Sequence, residues 1–418
     1  MLERLVNILW ESDLAIIALS AIVFDLPRYT LSIIAVVAFD LISLIQKREV
    51  TSLTTSVIVP CYNGEKYLKE TIQKIDLCRG NGLNEVIVVN DGSEDLSYEI
   101  ATELRSRGLI DKIINHNKRC GKSASINHAA RFANSDLLLI IDCDTQLDKN
   151  TIQEMAFLFN DEKVAGVSGN IIVKNSHSSF ISSLQNIEYL ISIMTGKTFI
   201  DYIGCLSCIS GACSMFRKSI FLDIGGMDVG TGEDLEITLR LRKRGYRVKF
   251  APNALSYTDV PETFEGLVRQ RVRWDRDAFR IRILMYGEGN IFFPQEKISD
   301  TLQRLDFLIF DFIPTILFPL YLIYVFHYFQ FDTVYFLIAI YISLFSITFI
   351  NLALIILFIP HKLSNFDALS ALVLPLFQGL ILKLTRFYAY SSELLWNASR
   401  EDNFVPKDVR RSLYKRIT

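Results

Sequence analysis

Asp136-Leu137-Leu138-Leu139-Ile140-Ile141-Asp142-Cys143-Asp144 reads as a buried strand that stops on two carboxylates. Two further strands precede it. Ser56-Val57-Ile58-Val59-Pro60 is followed by a helix over Glu65 to Ile75, and Glu85-Val86-Ile87-Val88-Val89 ends at Asn90-Asp91-Gly92-Ser93. Between residues 52 and 250 short β-branched runs alternate with helical stretches, the pattern of an α/β domain whose mostly parallel sheet is covered by helices. Both acidic clusters fall at carboxyl ends of strands. In an open α/β sheet ligands bind along that edge, so two clusters there predict one site.

Half of the 418 residues are apolar, 22% are charged, and the mean hydropathy is +0.27. The apolar residues are bunched, which excludes a purely soluble protein. With 29 Phe, 17 Tyr and only 20 Gly the chain is neither disordered nor collagen-like, and seven Cys in this length do not make a small disulfide scaffold. A net charge of −2 and a pI near 6.3 provide no basic field, so nucleic acid is not expected as a partner. All seven Cys lie between Cys61 and Cys213, and the odd number fits a reduced, cytosolic compartment. Cys205 and Cys208 form a CxxC without a second pair at zinc-site spacing, and they read as small buried side chains.

Apolar stretches over Leu14 to Phe24, extended back toward Leu5, and over Tyr29 to Ile45 flank Asp25-Leu26-Pro27-Arg28. Each is near the ~20 residues that cross ~30 Å of hydrocarbon, and no small-residue cleavage site follows. They read as a membrane hairpin closed by Gln46-Lys47-Arg48, whose positive charge keeps the following residues in the cytosol. Three more apolar blocks cover about Phe307 to Phe329, Val334 to Pro360 and Ala368 to Tyr390. The first two run out and back, because Gln330 to Thr333 carries no Lys or Arg whereas His361-Lys362 and the tail are basic. Lys383 and Arg386 also suit the third block to a helix lying in the interface, which leaves four or five spans. The expected organisation is a transmembrane hairpin over 1–46, a cytosolic domain over 52–260, amphipathic interface helices over 261–300, transmembrane or interfacial helices over 305–392 and a basic cytosolic tail over 393–418. Such a chain is a multi-pass protein of the plasma (inner) membrane, in contact with its lipids.

Asp142-x-Asp144 places two carboxylates just beyond a strand end, where their oxygens can converge on a hard divalent ion that keeps other positions open for substrate phosphates. A solvated turn has the same spelling, and Asp91 before Gly92 is ordinary turn chemistry. Order and spacing carry the weight. The runs SVIVPCYNGEKYLKETI from Ser56, VIVVNDGS from Val86, GKSASINHA from Gly121, DCDT from Asp142, SGACSMFRKS from Ser210, GEDLEITLRLRKRGYRV from Gly232 and QRVRW from Gln270 occur in that order. Together they resemble the processive, inverting family-2 glycosyltransferases, a membrane group that includes poly-N-acetylglucosamine, chitin-type, hyaluronan and cellulose synthases. The resemblance covers about residues 55 to 280 and implies a GT-A-like nucleotide-sugar-binding domain inserted between transmembrane helices.

It also implies a role for each motif. Asp91 would contact the nucleoside of a UDP-sugar donor and Lys122 the nucleotide, while Asp142 and Asp144 would hold the donor with Mg2+ or Mn2+. Asp234 occupies the place of the catalytic base. Thr231-x-x-Asp234 sets it in or beside the first turn of a helix over Leu235 to Arg244, where the dipole favours a carboxylate, and Glu233 is the competing candidate. A helix start alone accounts for those residue types. Gly232 stands where many relatives have Thr or Ser. Gln270 and Arg273 share one helical face with Trp274 adjoining, so by family analogy Trp274 stacks on the acceptor sugar while Gln270 and Arg273 help to bind the donor diphosphate. The bland alternative is a cationic interfacial helix carrying Arg269, Arg271, Arg276, Arg280 and Arg282. Ser210 and Gly211 belong to a loop that resembles the family's acceptor lining, residues Phe180 to Phe199 read mainly as core helix, and His116, His128 and His177 match no ligand spacing.

The leading expectation is a hexosyltransferase that extends a β-linked N-acetylhexosamine polymer from UDP-GlcNAc with inversion and exports the growing polysaccharide. Competing expectations are hyaluronan synthesis, which also needs UDP-glucuronate, and a single-turn transferase acting on a lipid. From outside enzymology comes a transporter whose soluble insert senses nucleotide sugars, using Asp40, Asp311, Asn351 and Lys383. The sugar, linkage, helper subunits and oligomeric state are left open.

Overall fold

The computed structural model describes residues 30, 32–43, 51–228, 230–288, 297–358, 365–401 and 405–406. The first predicted stretch, Leu14 to Phe24, lies outside the described residues, as do Gln46-Lys47-Arg48, His361-Lys362 and the Lys407 to Arg416 part of the tail.

The strands are β1 (Thr55–Cys61), β2 (Leu83–Asn90), β3 (Lys112–Asn115), β4 (Leu137–Ile141), β5 (Gln146–Leu147), β6 (Val164–Val173), β7 (Cys213–Arg217) and β8 (Arg247–Thr258). They form one eight-stranded sheet in the order β3-β2-β1-β4-β7-β6-β8-β5. As the sequence predicts, β1 to β4 are parallel. The other half is mixed: β7 runs antiparallel to both β4 and β6, β8 runs parallel to β6, and β5 is antiparallel to β8. Helices α1 (Ser32–Ser43), α2 (Leu68–Asp76), α3 (Ser97–Ser106), α4 (Lys122–Phe132), α5 (Thr151–Ala156), α6 (Phe180–Tyr189), α7 (Lys197–Tyr202), α8 (Lys218–Asp223) and α9 (Glu233–Lys243) accompany it.

The unbroken apolar strands follow from burial on both faces. Val57, Val59, Leu137, Leu139 and Ile141 join one core with Leu68 and Ile72 of α2, whereas Ile58, Leu138 and Ile140 join the opposite core with Ile126 of α4 and Ile237 of α9. Period-2 alternation thus sends neighbouring residues of one strand into different cores. Each fully buried aliphatic side chain contributes about 1.5–3 kcal/mol to holding the layers together.

Beyond the sheet come α10 (Phe264–Phe279), α11 (Ile298–Asp306), α12 (Ile313–Phe329), α13 (Thr333–Phe358), α14 (Asn365–Leu376) and α15 (Lys383–Trp396). Two helical stretches, Ile298–Leu357 and Leu369–Trp396, are long and apolar enough to cross a membrane. The first has 60 residues, about 90 Å if straight, three times the ~30 Å of hydrocarbon. It is broken at Gln330, whose φ of 45° reverses the chain, and Phe329 stacks on Phe336 with ring centroids 5.0 Å apart. The first two apolar blocks fall on α12 and α13. Their outer faces expose Ile323, Phe326, Phe349 and Leu357, as suits helices solvated by hydrocarbon. Ile33 of α1 packs with Leu352 and Ile355, and the Thr30 hydroxyl donates to Asn351 Oδ1 at 2.7 Å.

The sheet domain is fastened to these helices by polar contacts in an apolar seam. Asp367 of α14 accepts from Ser183 at 2.7 Å and from Asn186 at 3.2 Å, both on α6. Arg386 of α15 reaches Asp275 of α10 at 3.0 Å and Asp311, just before α12, at 2.7 Å.

Candidate active site

The edge of the sheet assembles from β4 outward. Because β7 is antiparallel to β4, with Cys213 opposite Ile141, the residues before β7 are delivered to the end of β4. There the Asp142 N–H donates to Ala212 O at 3.2 Å. Lys122, at the start of α4, places its ammonium 2.6 Å from Asp142 Oδ1 and 3.2 Å from Glu233 Oε1, and donates to Gly211 O at 3.1 Å. The Gly211 N–H donates to Asp234 Oδ2 at 3.1 Å, and Asp234 Oδ1 accepts from the Leu235 N–H at 2.8 Å. A Cβ at Gly211 would stand 3.0 Å from that Asp234 oxygen, so any side chain there would push the carboxylate aside by a few tenths of an ångström.

Charge in this cluster is unevenly shared. Burial favours a neutral Lys122, but Asp142 and Glu233 outweigh it and hold the ammonium above its ordinary pKa. Burial and then the charge of Asp142 push Asp144 up to about 6. Burial, followed by Glu233, raises Asp234, while Lys122 and Lys197 pull it back. Lys197 of α7 donates to Ser210 Oγ at 2.8 Å, and burial lowers its pKa. Sequence reading missed Lys197 because it lies in a segment whose apolar spacing reads as core.

Asp91 follows β2 and is buried. Its Oδ1 accepts from the Cys120 N–H at 2.8 Å and lies 3.0 Å from His116 Nδ1, and its Oδ2 accepts from the Gly121 N–H at 2.8 Å. Asp91 therefore ties down the loop that presents Lys122. His116 Nε2 in turn lies 2.9 Å from His128 Nδ1, so both histidines belong to this tether. In front of it opens a cavity of about 630 Å3 lined by Tyr62, Asn90, Ser93, Tyr98, Asn117 and Arg119, with the Arg119 guanidinium 4.1 Å above the Tyr62 ring. Asp91 lies behind this lining. Among the described residues, Asp91, His116 and Cys120 bring three potential ligand atoms within 4.8 Å of one another, but both Asp91 oxygens already accept backbone N–H groups.

The third wall is α10. Gln270, Arg273, Trp274 and Asp277 follow one another at i, i+3, i+4 and i+7, a single strip of the helix. Asp277 accepts from the Thr231 hydroxyl and pairs with Arg280 at 3.0 Å. Thr231 is thus bonded to α10 rather than capping α9. Gly232, the N-cap of α9, has φ 73°, and a Cβ there would meet Asp277 Cβ and Ile281 Cδ1 at 2.8 Å. Both the backbone and the seating of α10 demand glycine at this position. This contact seats the Asp277 end of the strip against the start of α9. Gln270 Oε1 is buried with no hydrogen-bond partner among the described residues. Trp274 is 38% exposed.

The arginines of α10 and of the helical turns after it, residues 280–285, do not form the cationic face expected to turn to headgroups. Arg271 pairs with Glu188 at 2.8 Å, Arg276 donates to Ser392 at 2.9 Å, Arg280 binds Asp277, and Arg282 pairs with Glu288 at 2.9 Å. Only Arg269 of the set remains on the open surface. Arg386 likewise turns inward, to the half-buried carboxylates of Asp275 and Asp311.

Residues 56–225 match the family described as Glycosyl transferase family 2. Over those residues the chain is similar to family-2 glycosyltransferases. Relatives include the poly-beta-1,6-N-acetyl-D-glucosamine synthase of Staphylococcus aureus (strain COL), 31% identical over 227 residues, and that of Staphylococcus epidermidis, 30% identical over 231 residues. The matches cover 54% of this chain in both cases, and 54% and 55% of the respective relatives. The chain thus spans about half the length of the curated relatives it matches. A mannosyltransferase from Pyrobaculum calidifontis, solved with GDP-Man and Mn2+, superposes with a TM-score of 0.56 at 17% identity, over 92% of this chain and 98% of that one. At that identity the likeness shows the fold, and it agrees with the expected GT-A-like architecture. The family-2 match and the names of these relatives also agree with the sequence resemblance to the processive group and with the glycosyltransferase class.

Proposed function

We propose that this protein is a membrane-bound processive glycosyltransferase that adds N-acetylglucosamine from UDP-GlcNAc to a growing β-linked chain with inversion. The observation that carries the reading is the chain of contacts from Asp142 through Lys122 and Gly211 to Asp234, at the one sheet edge where β1, β2 and β4 end. Donor and acceptor chemistry meet across those few residues.

Asp234 is the base. Glu233 is engaged by the Lys122 ammonium at 3.2 Å, whereas burial makes Asp234 more basic. The acceptor hydroxyl gives its proton to Asp234 as its oxygen bonds to the anomeric carbon, and the bond from that carbon to the diphosphate oxygen breaks on the opposite side. Lys122 offsets charge on the leaving UDP. Asp142 and Asp144 fit a hard divalent ion, Mg2+ or Mn2+, because two carboxylates crowd one turn and Asp144 is pushed up by burial and then by Asp142. Bound there, such an ion supplies neutralisation of the diphosphate. The cavity beneath Tyr62 and Arg119 takes the nucleoside, Gln270 and Arg273 turn toward the diphosphate, and Trp274 with Ser210 and Gly211 receives the acceptor. The sheet domain faces the cytosol, and the apolar helices beside it lead the product outward.

Supplying nucleotide sugars singly and in pairs tests the reading. UDP should be released with UDP-GlcNAc alone. An absolute requirement for UDP-glucuronate contradicts it in favour of a hyaluronan-type product, and no turnover with any donor contradicts it in favour of a sensor or transporter.

A further inference from the structure

The QRVRW segment contains a second arginine, Arg271, for which the proposed reaction has no use. It is held inside the protein. Its guanidinium lies 2.8 Å from Glu188 Oε2, and both side chains are about nine-tenths buried, with relative exposures of 11% and 10%. The same guanidinium stands 4.4 Å from the centroid of the Trp274 ring and 5.9 Å from that of Tyr189, the neighbour of Glu188. Arg271 therefore sits between two aromatic rings, fixed at one end by a carboxylate.

Burying an ion pair is costly and does not by itself stabilise a fold. Docking of α6 on α10 does not require it, since Leu184 and Ile187 of α6 already pack with Leu267 of α10 in an apolar cluster, and Gln185 donates to Pro261 O at 2.8 Å. What the pair adds is orientation. Trp274 is 38% exposed, and a partly exposed indole changes rotamer readily unless something holds its face. A guanidinium over an aromatic face does so, with an attraction that strengthens away from water. We infer that Glu188 and Arg271 are positioning residues that hold the Trp274 ring at the angle at which it meets the acceptor sugar. The acceptor role of Trp274 rests on the proposed function. The clamp itself rests only on the contacts.

The test separates the two. In a full-length chain with Trp10→Phe and Trp396→Phe, Trp274 is the sole tryptophan, and acrylamide quenching reports how freely its ring is reached. Glu188→Gln and Arg271→Met should each raise the quenching constant about twofold, measured on the folded protein well below a melting temperature that the unpaired buried charge lowers. Should Glu188→Gln fail to fold, Arg271→Lys retains the charge without the planar stack and should raise quenching alone. Unchanged quenching in the folded variants overturns the clamp, whether or not the protein transfers sugar. In turnover assays, Glu188→Gln should raise the KM for an N-acetylglucosamine oligomer about tenfold with the KM for UDP-GlcNAc unmoved. Placed on Trp274→Ala, it should add nothing further; additive losses overturn the clamp. A parent chain that shows no transfer removes the proposed function but leaves the quenching result to decide the clamp.

Discussion

Lys122 bonds to Asp142, Glu233 and Gly211 at once, so its position sets the spacing of the acidic residues around it. Gly211 is the tightest point of that arrangement. Gly211→Ala should displace the Asp234 carboxylate and lower kcat about a hundredfold, with little loss of stability because the loop lies at the sheet edge; steady-state kinetics beside a melting curve check this. The ionisation of Asp234 provides a second expectation. A base must be unprotonated, and burial raises the Asp234 pKa, so activity should fall on the acid side at a pH above the ordinary aspartate range. Lys197 opposes that rise, hence Lys197→Met should move the acid limb of the pH–rate profile to still higher pH, and Lys197→Arg should restore it. A limb that stays in place in Lys197→Met contradicts the electrostatic role.

At the scale of elements, the decisive contact is α10 against the start of α9. Gly232→Ala forces a side chain into φ 73° and against Asp277, and should destabilise by about 1–3 kcal/mol, measured by denaturant unfolding in detergent. Asp277 also links stability to pH. Burial pushes it up to about 7 from 3.8, so its folded pKa lies above its unfolded one. The folded state binds more protons across that window, and wild-type stability relative to Asp277→Asn should fall as pH rises from 3.8 to about 7. Much of this level is legible in the sequence. The strands from Ser56, Glu85 and Asp136 and the helix beyond Gly232 are found within a few residues of their predicted places, because continuous apolar runs and strand-end acids carry local signals. The antiparallel entry of β7 is not legible: it depends on how the Ser210 loop returns to the sheet, and no periodicity records that. The inward turn of the arginines of α10 and of the turns after it is hidden for a related reason. Their partners Glu188, Ser392 and Thr231 lie far away in sequence, so an amphipathic reading sees only a basic helix.

On the scale of the whole molecule, Arg386 joins α15 to α10 and to Asp311 before α12, so α10 is braced by the apolar helices. Removing one partner of this partly buried cluster leaves two carboxylates without their cation, and Arg386→Met should cost about 1–3 kcal/mol, read as a lowered melting temperature in detergent. Asp311, Asn351 and Lys383 could be taken for transport residues from sequence alone. In the structure Asp311 pairs with Arg386, Asn351 accepts from Thr30, and Lys383 lies 5.7 Å from the centroid of the Phe318 ring. The central claim is that Asp234 takes the acceptor proton at a site whose nucleotide contacts lie elsewhere. Asp234→Asn tests it most directly, with UDP binding measured by calorimetry and UDP release from UDP-GlcNAc measured on the same preparation. The account predicts binding near that of the wild type with turnover abolished; turnover that survives in a folded Asp234→Asn protein would contradict it.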